Sequence, residues 1–188
     1  MSNRRPDGER SAEVAHTHVH SLRLASGAEA LAARVRLAAE GATPAVGYGF
    51  TLNDEAIVAR DMATWDALAR ARNLPLPAVF GAAHRASVEV RAAPVEGSTV
   101  LDPWRCYTLE ELRHRATSAP GPVTLLAPNA HPWELHWCVV LAASLALREL
   151  CVACAGAPAT LPVPKSVGHG IDWSLEPGWA QLHWVDAD

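Results

Sequence analysis

Between Pro132 and Leu147 the chain reads PWELHWCVVLAASLAL, an apolar run interrupted only by Glu134, His136 and Ser144 apart from its opening proline. Proline suits the first turn of a helix, and a helix that is apolar nearly all round has no face to offer water. Its longest apolar stretch, 137–147, contains Ser144 and is too short to span a bilayer. Any fold this chain adopts must therefore cover the helix on most sides, with its own elements or with a partner's. The apolar segments on either flank, 123–127 and 150–155, read as short strands, the first of them buried.

A chain of 188 residues with 49% hydrophobic content is long enough to build one such core. A formal net charge of -4 and a pI near 6.1 leave no basic footprint for nucleic acid, and no Lys/Arg run accompanies an aromatic stripe. Residues 1–13 are polar and lack the apolar core of a secretory signal, so a cytoplasmic protein with no membrane association is expected. In that setting Cys106, Cys138, Cys151 and Cys154 are expected to be reduced. Cys151-x-x-Cys154 has neither a second pair nor a thioredoxin-like context, and core thiols explain it better. Of the 16 Lys and Arg residues only Lys165 is a lysine, which excludes any mechanism that needs two.

Residues 1–13 carry Pro6, Gly8 and alternating charges, and are expected to form a disordered tail. Alternation then begins: His16, His18 and His20 alternate with Thr17, Val19 and Ser21, ahead of Leu22 and Leu24. Ser26-Gly27 turns the chain into a second strand at 30–39, and a turn at 40–44 leads to a third at 45–50, an antiparallel meander. Asn53 or Asp54 is expected to cap a helix reaching about Arg72, with Val58, Met62, Trp65 and Ala69 along one stripe. Asn73-Leu74-Pro75 stops it. A strand at 87–92 and a polar, proline-containing loop lead to Thr108-Leu109-Glu110-Glu111, a capping-box start for a helix ending at Ala116. Residues 156–188, rich in Pro, Gly and Trp, read as a packed but irregular tail with short strands.

Some of these segments fall in a familiar sequence. In 35–81 the second strand, Gly47-Tyr48-Gly49 and the run Ala59-Arg60-Asp61-Met62-Ala63-Thr64-Trp65-Asp66-Ala67-Leu68 lead through Asn73-Leu74-Pro75-Leu76 to Val79-Phe80-Gly81. In 125–173, Pro128-Asn129-Ala130-His131-Pro132-Trp133-Glu134 opens an Ala/Leu helix, followed by Leu161-Pro162-Val163-Pro164 and Gly168-His169-Gly170-Ile171-Asp172. The two stretches, in this order, resemble the mandelate-racemase and muconate-lactonizing branch of the enolase superfamily. The resemblance implies an α+β fold. An enolase-type capping domain, a three-stranded antiparallel meander plus helices, would occupy 14–86 and be completed by a C-terminal return at 157–188. Residues 87–156 would be the remnant of a (β/α)8 barrel, because the roughly 200–250 residues of a whole barrel do not fit there.

The family's chemistry removes a proton next to a carboxylate while Mg²⁺ holds the enediolate oxygens. It uses carboxylates at the ends of three consecutive central strands and a Lys-x-Lys pair. This sequence has no such pair, and between Ser87 and His131 its acids are Glu89, Glu96, Asp102, Glu110 and Glu111, without the strand–helix spacing of a ligand set. The expectation is a non-catalytic partner or regulatory subunit, a pseudoenzyme that joins a full-length enolase-superfamily enzyme in a hetero-oligomer or associates with itself. It would need no cofactor alone, and Mg²⁺ only if a partner subunit supplies it. The alternative is the small subunit of a heteromeric Mg-dependent acid-sugar dehydratase or racemase.

For that alternative the candidate catalytic residue is His131, which the resemblance places at the family's strand-seven base, although the aspartate that would orient it has no counterpart. Without that role it is a histidine near a helix N-cap. Tyr48, Phe50 and Asn53 lie in or beside the cap loop at 48–55, which overhangs the barrel mouth in the family; an ordinary surface loop is the plainer explanation. Glu149 or Cys151 falls near the strand-eight acid. Trp133, Trp137, Trp173 and Trp179 are expected at an interface, because tryptophan is enriched in interface cores, with burial inside the chain itself as the plainer alternative. A third possibility is a small metal-binding protein using His16, His18 and His20, since imidazole suits Zn²⁺ or Ni²⁺. Spread over about 13 Å of strand, however, the three cannot share one ion unless the strand curls.

Overall fold

The computed structural model describes residues 13–38, 44–80, 85–106, 108–145, 147, 150–157 and 160–184. The tail expected at 1–13 lies outside them apart from Glu13, which already belongs to the first strand. Strands β1 (Glu13–Arg23), β2 (Glu29–Ala38) and β3 (Ala45–Thr51) form the expected antiparallel meander in that order. Strand alternation gives this sheet two different faces. On one, His18 stands opposite Arg34 and Arg34 opposite Tyr48. On the other, Val19, Ala33 and Gly49 are aligned and receive helix α1 (Ala56–Ala71).

The helix lies unusually close to β3. A Cβ placed on Gly47 would stand 2.2 Å from the Ala63 carbonyl oxygen, and one on Gly49 equally close to that of Ala59. Glycine at both positions, with alanines on the helix face, is what lets the two backbones meet. The helix begins one residue later than a cap at Asp54 would start it and two later than one at Asn53: Glu55 is its N-cap and supplies no side-chain hydrogen bond. Asn53 Oδ1 instead accepts the Glu55 N–H at 3.1 Å, an Asx turn that leads into the helix from outside. Of the expected stripe, Val58, Met62 and Ala69 are buried while Trp65 is half-buried against Phe80.

Past the short helix α2 (Leu76–Val79) comes the second sheet: β4 (Ser87–Arg91), β5 (Thr99–Leu101), β6 (Val123–Leu126), β7 (Leu150–Ala153) and β8 (Thr160–Pro162), in the order β5-β6-β7-β4-β8. The first four of that order run parallel and β8 is antiparallel on β4. Buried parallel strands need no polar alternation, which is why 123–126 and 150–153 are apolar apart from the buried Thr124. Helix α3 (Leu109–Thr117) starts where the capping box indicated, with Thr108 Oγ1 accepting the Glu111 N–H at 3.1 Å. The proline-containing loop before it holds two elements that no periodicity announced, β5 and a 3-10 turn at Pro103–Arg105.

Helix α4 (Pro132–Leu145) is covered by the chain itself. It packs on β4, β6, β7 and α2, and its residues from Trp137 to Leu145 are all buried. Beyond β8 the chain returns to the link between α1 and α2, where Leu76 N donates to Gly168 O at 2.8 Å and Gly168 N to Leu74 O at 2.9 Å. No helix among the described residues is long and apolar enough to cross a membrane.

Candidate functional site

The polar groups best placed for chemistry gather beyond the C-terminal ends of the parallel strands. After β6 the chain turns through Pro128-Asn129-Ala130-His131, with Ala130 at φ 51°. This left-handed conformation is unfavourable for a residue with a Cβ, and side chains hold it in place. Asn129 donates through its backbone N–H to Glu134 Oε2 at 2.8 Å and through Nδ2 to Oε1 at 3.1 Å. Glu134, in the first turn of α4, is wholly buried, and Trp104 Nε1 donates to its Oε1 at 2.6 Å. Burial raises the Glu134 carboxyl above its ordinary pKa, and the Trp104 and Asn129 hydrogen bonds only partly counter it.

His131 has an orienting carboxylate, from a direction that the sequence did not indicate. Its Nδ1 accepts the Trp133 N–H at 3.2 Å, so Nε2 carries the proton and donates to Glu176 Oε1 at 2.8 Å. The other oxygen of Glu176 accepts the Ala25 N–H at 2.8 Å. One carboxylate from the C-terminal return thus ties the histidine to the β1–β2 turn. The two side chains are only 11% and 8% exposed, so the histidine is largely closed to solvent.

A second buried cluster fastens the return to the meander. Asp66 on α1 accepts Tyr48 N–H and Arg70 Nε–H on Oδ2, at 3.0 and 2.8 Å, and His169 N–H on Oδ1 at 3.0 Å. His169 Nε2 donates to Tyr48 O at 2.7 Å while its Nδ1 accepts the Ile171 N–H at 3.2 Å. Burial lowers the pKa of His169, with the Asp66 charge opposing, and that of His136 as well, whose Nε2 donates to His169 O.

Aromatic rings fill the space between these clusters. Phe50 lies 5.1 Å from Trp104, 5.3 Å from Trp133 and 6.1 Å from Trp173. Trp173 and Trp179 stack at 3.9 Å, and Tyr48 meets Trp179 edge-on at 5.7 Å. Tyr48 and Phe50 are therefore engaged in packing, and Asn53 donates from Nδ2 to Trp104 O at 2.9 Å. The expected interface tryptophans are corrected in part: Trp133 and Trp137, 0% and 4% exposed, are enclosed by their own chain, Trp133 donating to Asp172 O at 2.9 Å. The physical reason is that the return folds over α4 and supplies the cover for which a partner was invoked. Trp173 and Trp179 are half-buried in the same stack.

His16, His18 and His20 stand on the face of the meander turned away from α1, opposite Arg36, Arg34 and Ala32. His20 packs edge-on against Trp184 at 4.9 Å, and arginines beside the other two oppose a bound cation. Cys151 is the second residue of β7, not a strand-end group, and Glu149 lies outside the described residues. Among the described residues no three His, Cys, Asp or Glu side chains are placed to hold a metal ion. Asp102, directly after β5, accepts the Trp104 N–H at 2.9 Å, and Glu134 and Glu176 are likewise committed to protein donors. This donor set does not fit the oxygen shell of Mg²⁺.

Glu134, Glu176 and the Asp66–His169 pair were not singled out from sequence. Glu134 carried a usable signal, a carboxylate inside a stretch otherwise apolar all round. Glu176 carried none, because its partners lie 45 and 151 residues away along the chain.

No family model and no curated protein matches the chain. Among solved structures it is similar to the crystal structure of mandelate racemase/muconate lactonizing enzyme from Sulfitobacter sp., at 11% identity and a TM-score of 0.50, over 94% of this chain and 97% of that one. It is also similar to L-talarate dehydratase from Polaromonas sp. JS666 complexed with Mg and L-glucarate, at 13% identity and a TM-score of 0.45, over 82% and 93% of the two chains. At such identities the likeness is one of fold alone. Of these two, the Sulfitobacter structure carries it.

Proposed function

We propose that the chain is a non-catalytic partner or regulatory subunit that associates with a full-length enolase-superfamily enzyme. The observation that carries this reading is the state of the strand ends. Beyond the ends of the parallel strands Glu134 is occupied by Trp104 and Asn129, and His131 is closed against Glu176. The only lysine, Lys165, lines a different cavity beside Arg85 and Val163. The outer edge of β5 has no strand paired to it among the described residues, and Val100 on it is 45% exposed. An open strand edge of that kind is a natural place for another chain to pair.

Sedimentation of the purified chain, alone and mixed with a full-length mandelate-racemase-type enzyme from the same source, tests this. A heavier species is expected only in the mixture, together with no proton abstraction from acid sugars by the chain alone. Turnover without a companion, or a mixture that sediments as two unchanged components, removes the reading.

A second reading rests on the His131–Glu176 pair: a histidine already oriented by a carboxylate is equipped for general acid–base work. In a heteromeric acid-sugar dehydratase or racemase it would act at a partner's site, with the partner supplying Mg²⁺. Substituting His131→Ala in the assembled complex separates the two, since only this reading expects a large fall in kcat with assembly intact.

A further inference from the structure

β4 sends Val88 and Val90 into the core and leaves Glu89 and Arg91 exposed on its other face. On that second face a cavity of about 320 Å³ opens at the starting ends of β6 and β7, the opposite end of the sheet from His131 and Glu134. Among the described residues it is lined by Glu89 and Arg91, by the apolar Val95, Pro122, Val123 and Leu150, and by Cys151. One wall is built, not incidental. Thr124 Oγ1 lies 2.7 Å from Ser98 Oγ and accepts the Val95 N–H at 3.4 Å, which holds the loop carrying Val95 over the sheet. Cys151 Sγ lies 3.6 Å from the same hydroxyl.

We propose that this cavity binds a small zwitterion with an apolar side chain, a free α-amino acid of the leucine or valine class. Three observations fix the ligand chemistry. First, Glu89 and Arg91 stand 2.8 Å apart as a pair, 55% and 50% exposed. An exposed pair of this kind is worth little, so its two members can exchange each other for better partners at small cost. A lone anion would meet Glu89 and a lone cation would meet Arg91, whereas a zwitterion gives its ammonium to one and its carboxylate to the other, keeping every charge matched. Second, the remaining walls are aliphatic and would take a branched hydrocarbon side chain. Third, about 320 Å³ lies at the bottom of the range for ligand sites, which suits one amino acid and leaves no room for a nucleotide.

The test is calorimetric titration of the full chain with L-leucine, with 4-methylpentanoate, which lacks the ammonium, and with 3-methylbutylamine, which lacks the carboxylate. Saturable one-to-one binding of L-leucine is expected, with both analogues at least about tenfold weaker. Glu89→Gln and Arg91→Gln, each checked to melt at the wild-type temperature, are expected to lose about tenfold in leucine affinity. Val95→Trp, which fills the cavity from an exposed loop, is expected to abolish binding. No heat from L-leucine at millimolar concentration, binding of either analogue as tight as leucine, or full affinity in the Glu89→Gln, Arg91→Gln or Val95→Trp protein would each overturn the proposal.

Discussion

Asp61 carries its consequence in a single proton. Its Oδ2 accepts the Leu109 N–H at 2.8 Å where α3 begins, yet burial raises its pKa from 3.8 to about 6, against that bond and with help from the Glu110 charge. A carboxyl whose folded pKa exceeds its unfolded one binds a proton more tightly when folded. Its ionisation therefore destabilises the fold, by nothing below the unfolded pKa and by about 3 kcal/mol once the pH has passed the folded value. Asp61→Asn keeps an acceptor for Leu109 and removes the charge. Denaturant unfolding should show the variant more stable than wild type by up to about 3 kcal/mol above this window, with the difference vanishing at lower pH. An equal difference at all pH values would refute the ionisation argument. His169 works with the opposite sign: lowered by burial, it is stabilising while neutral, and that stability is lost as the pH falls below the ordinary histidine value of 6.5. Asp66, which serves three donors around it, is the costlier residue to lose. Asp66→Ala strands the Tyr48, His169 and Arg70 donors, and equilibrium unfolding should report a loss of about 3–5 kcal/mol. A loss under one would mean that water replaces the carboxylate freely.

Among the elements, the contact between β3 and α1 tolerates the least change. A methyl group on Gly47 or Gly49 meets backbone atoms, which cannot swing away as a side chain would. Gly49→Ala should accordingly destabilise by about 3 kcal/mol or more, whereas the same change at Gly121, which has open space around it, should be nearly silent in a thermal melt. Indistinguishable melting of the two variants would show that the sheet and helix separate easily. At the start of α3, Thr108→Ala removes the hydroxyl that accepts the Glu111 N–H, leaving Asp61 on Leu109, and should cost about 1 kcal/mol. A cap lost without effect would place the stability of that helix in Leu109 and Leu112, its buried face.

Over the whole molecule, the C-terminal return joins what the chain order separates. Glu176 reaches Ala25 in the first turn and His131 at the head of α4, and Asp66 holds the same return from the other side. With Glu176→Ala, hydrogen exchange should quicken together around Ala25 and across residues 173–181, while β4, β6 and β7 keep their protection. Faster exchange in only one of those segments would mean that the carboxylate is not a shared latch. The return also explains why α4 needs no partner for burial. Among the described residues the β5 edge around Val100 is one of the strand edges left unpaired.

Much of the local structure was decided by short-range chemistry and was legible for that reason. Alternation marked the three strands of the meander, and proline and the Thr108 box marked two helix starts. The lone lysine, Lys165, likewise rules out two-lysine chemistry whatever the fold. Asn53 misled because an Asx turn and an N-cap call for the same side chain, and here the N-cap stands two residues further on. Strand β5 and the turn at Pro103–Arg105 escaped notice because three residues are too few to show a period. Only the tertiary structure could decide that Glu176 orients His131, that Asp66 meets His169, and that α4 is covered from within. Those pairings span 45, 103 and more residues, and nothing in local propensity encodes which distant side chain will fill a buried hydrogen bond.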